Sequence, residues 1–325
     1  GSSVFEGERA YNGKIFKSRE HSERLLKSGE YMDIPIPYTV DEIEAAKAEV
    51  LAASGLQDAY VRAVCWRASG EDMGVASARN PVKMAIAVWE WGAYYGDAKM
   101  KGAKLDIAKW KRPSPETIPC FAKAAGLYMI CTMSKHAAEA KGCSDAMMLD
   151  YRGYVAEATG ANIFFVKDGE VHTPKPDCFL NGITRQTVVG MLEDRDIKVN
   201  VRHIMPDELD SFEQCWLTGT AAEVTPVGQI GNYTFEVGDL AREIAESYEQ
   251  LVRAYFAMAL KFFGLNPTGL GHFSYLMGRL CAIASLAQTL LTPDNHHPRH
   301  NDYRSSQDRP TCWGFRKPKI SNGEH

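Results

Sequence analysis

The sequence predicts an α/β protein of two domains, and three observations carry that expectation. Its 325 residues are more than one compact domain usually holds. Helix-like and strand-like patterns alternate along most of the chain. Between residues 91 and 115, three glycines, two prolines and five lysines interrupt those patterns, as a crossing between domains would. The expected layout is a small α/β domain over 1–90, an interdomain segment over 91–115, a large domain over 116–258 and an atypical tail over 259–325.

Taken in order, "SVFEGERAY" reads as a short strand, and "SREHSERLLKSGEY" as a helix with Ser18 as N-cap and Leu25 and Leu26 on one face. Thr39 and Glu42 have capping-box spacing ahead of Ile43, Ala46, Val50 and Leu51, with Gly55 as the stop. "AYVRAVCWRA" and "KMAIAVWEW" are rich in β-branched and aromatic residues and predict strands. Past residue 123 a helical pattern runs through "MICTMSKHAAEAKG". A series of hairpins follows, the last turning at Asp168-Gly169. "GITRQTVVGMLEDRD" predicts a helix opened by Gly182, "IKVNVRHI" a strand, and "QCWLTGTAAEVTPV" a strand broken at its glycine. Leu240, Ile244, Tyr248, Leu251 and Val252 share one face of a closing amphipathic helix.

A net charge of −4 leaves no electrostatic footprint for nucleic acid or an anionic membrane, so small soluble substrates fit better. Eight cysteines without a C-x-x-C pair signal neither a zinc site nor a disulfide framework, and no metal is expected. A reduced, cytoplasmic setting is the default. The chain opens on Gly1, not Met, and its first element reads as if entered midway, so the expectation is an incomplete N-terminus. From Ala259 the chain holds five of nine histidines and eight Lys and Arg against four Asp and Glu, without periodicity, which predicts disorder.

Two lone charges suggest chemistry. Lys123 is the single charged residue of "TIPCFAKAAGLYMICTMS". Desolvation there would lower its pKa and favour the neutral, nucleophilic amine; alternatively the side chain lays its stem on apolar surface and sends its head to water. Glu157 is the single carboxylate of "GYVAEATGANIFFV". The two could pair with each other, or each could await a partner supplied by a cofactor. Two anion cradles accompany them: "NGITR", where Gly182 opens a helix beside Thr184, and "TGTAAE", where Thr220 follows Gly219 in a turn. An amine, a carboxylate and two cradles suit one ligand with an aldehyde, a basic ring nitrogen and a phosphate, namely pyridoxal 5′-phosphate.

Through "SVFEGERAY", "REHSERL", "AYVR", "WGAYYG", "IPCFAKAAGLY", "GYVAEATGANIFF", "NGITR" and "GTAAEVTPVG", residues 1 to about 255 resemble the branched-chain amino acid aminotransferases of the class IV, fold type IV group. The resemblance implies a small α/β domain, a larger β-barrel-like domain, and transamination between branched-chain L-amino acids and 2-oxoglutarate. It implies that Lys123 holds the cofactor covalently and shuttles a proton, that Glu157 pairs with the ring nitrogen, and that Tyr128 bonds the ring oxygen. Arg24, Gly182, Ile183, Thr184 and Thr220 would hold the phosphate, and Leu180 would pack on the ring. Tyr60 with the Thr220 and Ala221 backbone would take the α-carboxylate. Phe5, Trp91 and Tyr128 would line an apolar side-chain pocket, where Arg62 admits glutamate. The loop around Met73 to Val75 would reach the site of a second subunit, which implies a homodimer. Asn181 stands where the family commonly has proline. The alternatives are a D-amino acid aminotransferase or an aminodeoxychorismate lyase of the same fold, or an inactive truncated product.

Overall fold

The computed structural model describes residues 3–70, 74–76, 78–92 and 100–262, the last eight by backbone alone. All belong to one compact unit, Gly1–Pro267. Its first sheet is built from β1 (Ser3–Phe5), β2 (Glu8–Tyr11), β3 (Lys14–Ile15), β4 (Ala59–Arg67) and β5 (Val82–Trp89). β1 and β2 lie end to end along one edge of β4: Phe5 pairs with Val64 and Glu8 with Val61, so one register continues through Glu6-Gly7. The single strand expected at "SVFEGERAY" is thus two strands in one register. Because side chains alternate across a strand, Val4, Glu6, Glu8 and Ala10 face one way and Phe5, Arg9 and Tyr11 the other.

The first face is covered by α1 (Ser18–Tyr31) and α2 (Val40–Ser54). Leu25, Ile34 and Ile43 pack there with Val4, Ala63 and Cys65. α2 has the expected capping box, with the Glu42 N–H donating to Thr39 Oγ1, and it ends on Gly55 at φ 70°. At α1 the expectation fails: Ser18 is the first helical residue, and Lys17, in the left-handed region, stands before it without a side-chain cap. Ser18 instead donates through its hydroxyl to Glu8.

The second sheet has nine strands. These are β6 (Ala103–Ile107), β7 (Asp145–Leu149), β8 (Val155–Ala158), β9 (Asn162–Lys167), β10 (Glu170–Pro174), β11 (Val199–Arg202), β12 (Gln214–Gly219), β13 (Glu223–Ile230) and β14 (Tyr233–Thr234). They run in the order β11-β10-β9-β12-β13-β6-β7-β8, with β14 beside β13, and curl into a half-barrel. β6 lies inside the segment read as a crossing; paired in parallel with β13 and β7, it is part of the sheet. Asp168 and Gly169, at φ 53° and 75°, make the tight turn between β9 and β10 that their types predict. Alternation again sorts the core. Ile163, Phe165 and Leu217 line the concave side, while Phe164, Val166 and Trp216 meet α4 (Ile183–Glu193) and α5 (Asp239–Phe262). Ile244, Tyr248 and Val252 of α5 are buried against that convex side, each contributing roughly 1.5–3 kcal/mol. α5 continues through the first residues of the stretch read as tail; the rest of that stretch lies outside the described residues. α3 (Tyr128–Glu139) packs beside β7, and among the described residues no helix is long and apolar enough to cross a membrane.

Candidate active site

An open cavity of ≈ 510 Å³ lies between α1, the segment that carries Lys123, β8, the start of α4 and the end of β12, and nine of the residues singled out in the sequence line it: Arg24, Lys123, Tyr128, Glu157, Leu180, Gly182, Ile183, Thr184 and Thr220. Lys123 arrives on the loop before α3. That loop is fastened by the Phe5 N–H to the Lys123 carbonyl at 3.0 Å and by the Lys123 N–H to Ser28 Oγ at 3.0 Å. Its Nζ donates to Tyr128 Oη at 2.8 Å and lies 5.0 Å from the centre of the Phe5 ring. Here the sequence expectation of a lowered pKa is corrected. Removal from water does pull the amine down, but the Tyr128 oxygen and Glu6 push harder, and the net shift is upward.

Glu157, on β8, is not paired with Lys123. Its nearest cation is Arg112, with Nε 3.4 Å from Oε1, and Asn162 Nδ2 donates to Oε2 at 3.1 Å. Burial drives its pKa up, Arg112 and Lys123 offset part of that, and the result is about 7. A buried carboxylate this weakly compensated gains from a further cation beside it.

Asn162 escaped the sequence reading, although it lies in the quoted "GANIFF". It braces three elements: besides Glu157 it donates to the Leu180 carbonyl at 3.0 Å and accepts from the Gly182 N–H at 3.1 Å. A Cβ on residue 182 would lie 2.3 Å from Asn162 Oδ1, so glycine is needed there for close approach. Arg112 escaped too, because its "WKRPSP" context read as linker. Asn181, the departure from the family pattern, accepts from Arg185 Nη1 at 2.8 Å and helps fix the start of α4.

That start is the stronger of the two anion cradles. Gly182 caps α4 without a side-chain bond, and among the described residues the N–H groups of Ile183 and Thr184 find no protein acceptor. Thr218 Oγ1 on the same wall is also buried without a partner. The second cradle is the turn from β12 to β13, through Thr220 and Ala221, held by Glu223 at φ 55°, which accepts from Tyr11 Oη at 2.7 Å. A pyridoxal phosphate therefore fits the donor set: an amine, a carboxylate in want of a cation, and free N–H groups at a helix start.

Four of the five remaining candidates pack against one another beside Tyr128. Phe5 meets the Tyr128 ring edge-on at 4.9 Å, Arg62 stacks on Phe5 at 4.5 Å and donates to Tyr60 Oη at 3.0 Å, and Trp91 stacks on Tyr60 at 4.7 Å. Arg62 Nε is buried without a hydrogen-bond partner. Tyr60 reaches this place over Gly7, where a Cβ would come 1.9 Å from its hydroxyl. Ala221 sits in the β12–β13 turn, and Met73 lies outside the described residues.

A sequence profile described as "Amino-transferase class IV" matches residues 3–230. A Rickettsia felis protein named "probable branched-chain-amino-acid aminotransferase" is 39% identical over 260 residues, 77% of this chain and 87% of its own. The branched-chain aminotransferase of Thermoproteus uzoniensis, solved with norvaline, superimposes with a TM-score of 0.75 at 33% identity over 80% of this chain and 88% of that one. The branched-chain amino acid aminotransferase from Escherichia coli gives a TM-score of 0.71 at 31% identity, covering 78% of this chain and 85% of that one.

Proposed function

The chain belongs to the class IV aminotransferases, and from that premise we propose that it transfers the amino group between branched-chain L-amino acids and 2-oxoglutarate. The enzyme is a pyridoxal-phosphate-dependent transaminase. The observation that carries the reading is the convergence on one cavity of Lys123, the under-compensated Glu157 and the free start of α4.

The cofactor supplies an electron sink for the bond broken at the substrate α-carbon. Lys123 would hold it covalently through Nζ and carry the proton to and from the α-carbon. That role requires the amine to lose its ammonium proton, and Tyr128 Oη, 2.8 Å away, is placed to share it. Glu157 would keep a proton on the ring nitrogen, the cation its raised pKa calls for. Arg24, Thr220 and the N–H groups of Ile183 and Thr184 would hold the phosphate, Leu180 would face the ring, and Tyr128 would bond the ring oxygen.

For substrate, Tyr60 and the Thr220-Ala221 backbone would bind the α-carboxylate. Phe5, Trp91 and Tyr128 offer apolar and aromatic surface to an aliphatic side chain, and Arg62, with its free Nε, would pair with the distal carboxylate of glutamate. A homodimer in the cytoplasm completes the proposal; the six described cysteines, all free, support a reducing compartment. The two-sheet layout supports a small domain over 1–90 and a large one that takes in β6, and so begins before residue 116.

The test is absorbance of the purified protein with pyridoxal phosphate, followed by L-leucine and then 2-oxoglutarate. The expected result is a leucine-dependent spectral change reversed by the oxo acid. No change with L-leucine but turnover of D-alanine would replace the substrate assignment.

A further inference from the structure

Behind Arg24 lies a buried group that no step above uses. Strand alternation turns Glu6 away from the cavity, toward α1, where it is 0% exposed. His21 and Arg24, three residues apart on α1, share the face that meets it. Arg24 Nε donates to Glu6 Oε1 at 2.7 Å and Nη2 to Oε2 at 2.8 Å, a two-pronged grip on one edge of the guanidinium. His21 Nδ1 lies 2.6 Å from the same Oε2. Among the described residues, Nη1 of Arg24 bonds to nothing in the protein, and Arg24 lines the cavity.

We propose that Glu6 and His21 are positioning residues: Glu6 fixes the guanidinium plane of Arg24, His21 fixes Glu6, and Nη1 is left as the donor offered to the cofactor phosphate. This rests on the reading of the cavity as a pyridoxal phosphate site. A carboxylate beside the guanidinium weakens the pull of Arg24 on an anion, and a buried ion pair is seldom better for stability than apolar packing. Orientation is what the pair provides in return. With Nδ1 2.6 Å from a carboxylate oxygen, Nδ1–H is the donor, and burial lowers the pKa of the ring against the pull of Glu6. His21 also lines a smaller cavity that it shares with Thr184 and Thr220, the cradle residues.

The test compares pyridoxal phosphate with pyridoxal, which lacks the phosphate, in equilibrium titrations of the ligand-free protein. In Glu6→Gln the ratio of pyridoxal phosphate affinity to pyridoxal affinity should fall roughly 10- to 100-fold, the value of a charge-assisted hydrogen bond; the lost Glu6 charge near Lys123 acts on both aldehydes alike and cancels in that ratio. Arg24→Ala should lose at least as much, and adding Glu6→Gln to it should cost little more, since both remove one interaction. His21→Leu should show a smaller loss of the same kind, and His21→Asn, which keeps a donor, should retain the preference. If Glu6→Gln does not fold, the two His21 variants decide, and equal preference in both overturns the proposal. An unchanged preference in Glu6→Gln, or equal weakening of both ligands, likewise makes Glu6 structural only. Failure of the parent protein to bind pyridoxal phosphate would instead defeat the functional reading, before any variant is measured.

Discussion

Glu6 and Glu157 are both buried carboxylates beside an arginine, yet the two sides of the site treat them oppositely. On the helix side of the first sheet, Arg24 and His21 saturate Glu6 at 2.6–2.8 Å and, against the cost of burial, hold its pKa well below the usual carboxylate range. On the cavity side, Glu157 has one guanidinium at 3.4 Å and one amide, burial dominates, and its pKa is pushed up to about 7. Glu8, on the same helix side but away from the cavity, is only half compensated: Lys47 lies 2.7 Å from Oε2, while Oε1 is buried without a partner and burial pushes the pKa up to about 8. The lesson is that a buried charge alone does not mark a reacting group. What marks it is a buried charge whose compensation is incomplete where a ligand can enter.

That contrast predicts that cavity-side changes cost activity and helix-side changes cost stability. The largest effect is expected from Lys123→Ala: transamination should fall by about 10⁴-fold or more with an unchanged melting temperature, and borohydride should trap no cofactor. A trapped adduct elsewhere would move the covalent site. On the other side, Lys47→Met should lower folding stability by roughly 3 kcal/mol in urea unfolding while sparing kcat, because Glu8 is left buried without its cation. A stable but inactive variant would erase the distinction between the two layers.

Glu157 provides a pH signature. Its carboxyl keeps its proton up to about 7 in the folded, ligand-free state but releases it near 4.5 when unfolded. The unfolded state therefore binds fewer protons between those values, so this group's contribution to stability falls as pH rises from 4.5 to 7, by on the order of 2–3 kcal/mol. Subtracting the unfolding profile of Glu157→Gln from that of the parent should isolate this decline; a flat difference would mean that Glu157 is already compensated. The smallest effect concerns Arg62→Ala. It should slow the glutamate half-reaction about tenfold more than the leucine half-reaction, since only glutamate has a distal carboxylate to pair. Equal losses in single-turnover kinetics would reassign Arg62 to holding Phe5 and Tyr60.

What the sequence determined by itself is local. The Thr39-Glu42 box, the Gly55 stop, the Asp168-Gly169 turn and the Gly182 start of α4 each depend on backbone preferences within a few residues, and all were legible. So was the isolation of Lys123 and Glu157, because a lone charge in an apolar run needs no third dimension to be noticed. The tertiary structure alone decided what surrounds those charges. Lys123 is tied to Ser28, 95 positions away, and its pKa direction follows from Tyr128 and Glu6, the latter between β1 and β2 far back in the chain. Ser18 looked like a cap but spends its hydroxyl on Glu8, and a segment read as linker contributes β6 and Arg112. Electrostatic compensation and sheet pairing act between groups close in space, and chain spacing carries almost no information about which distant groups those will be.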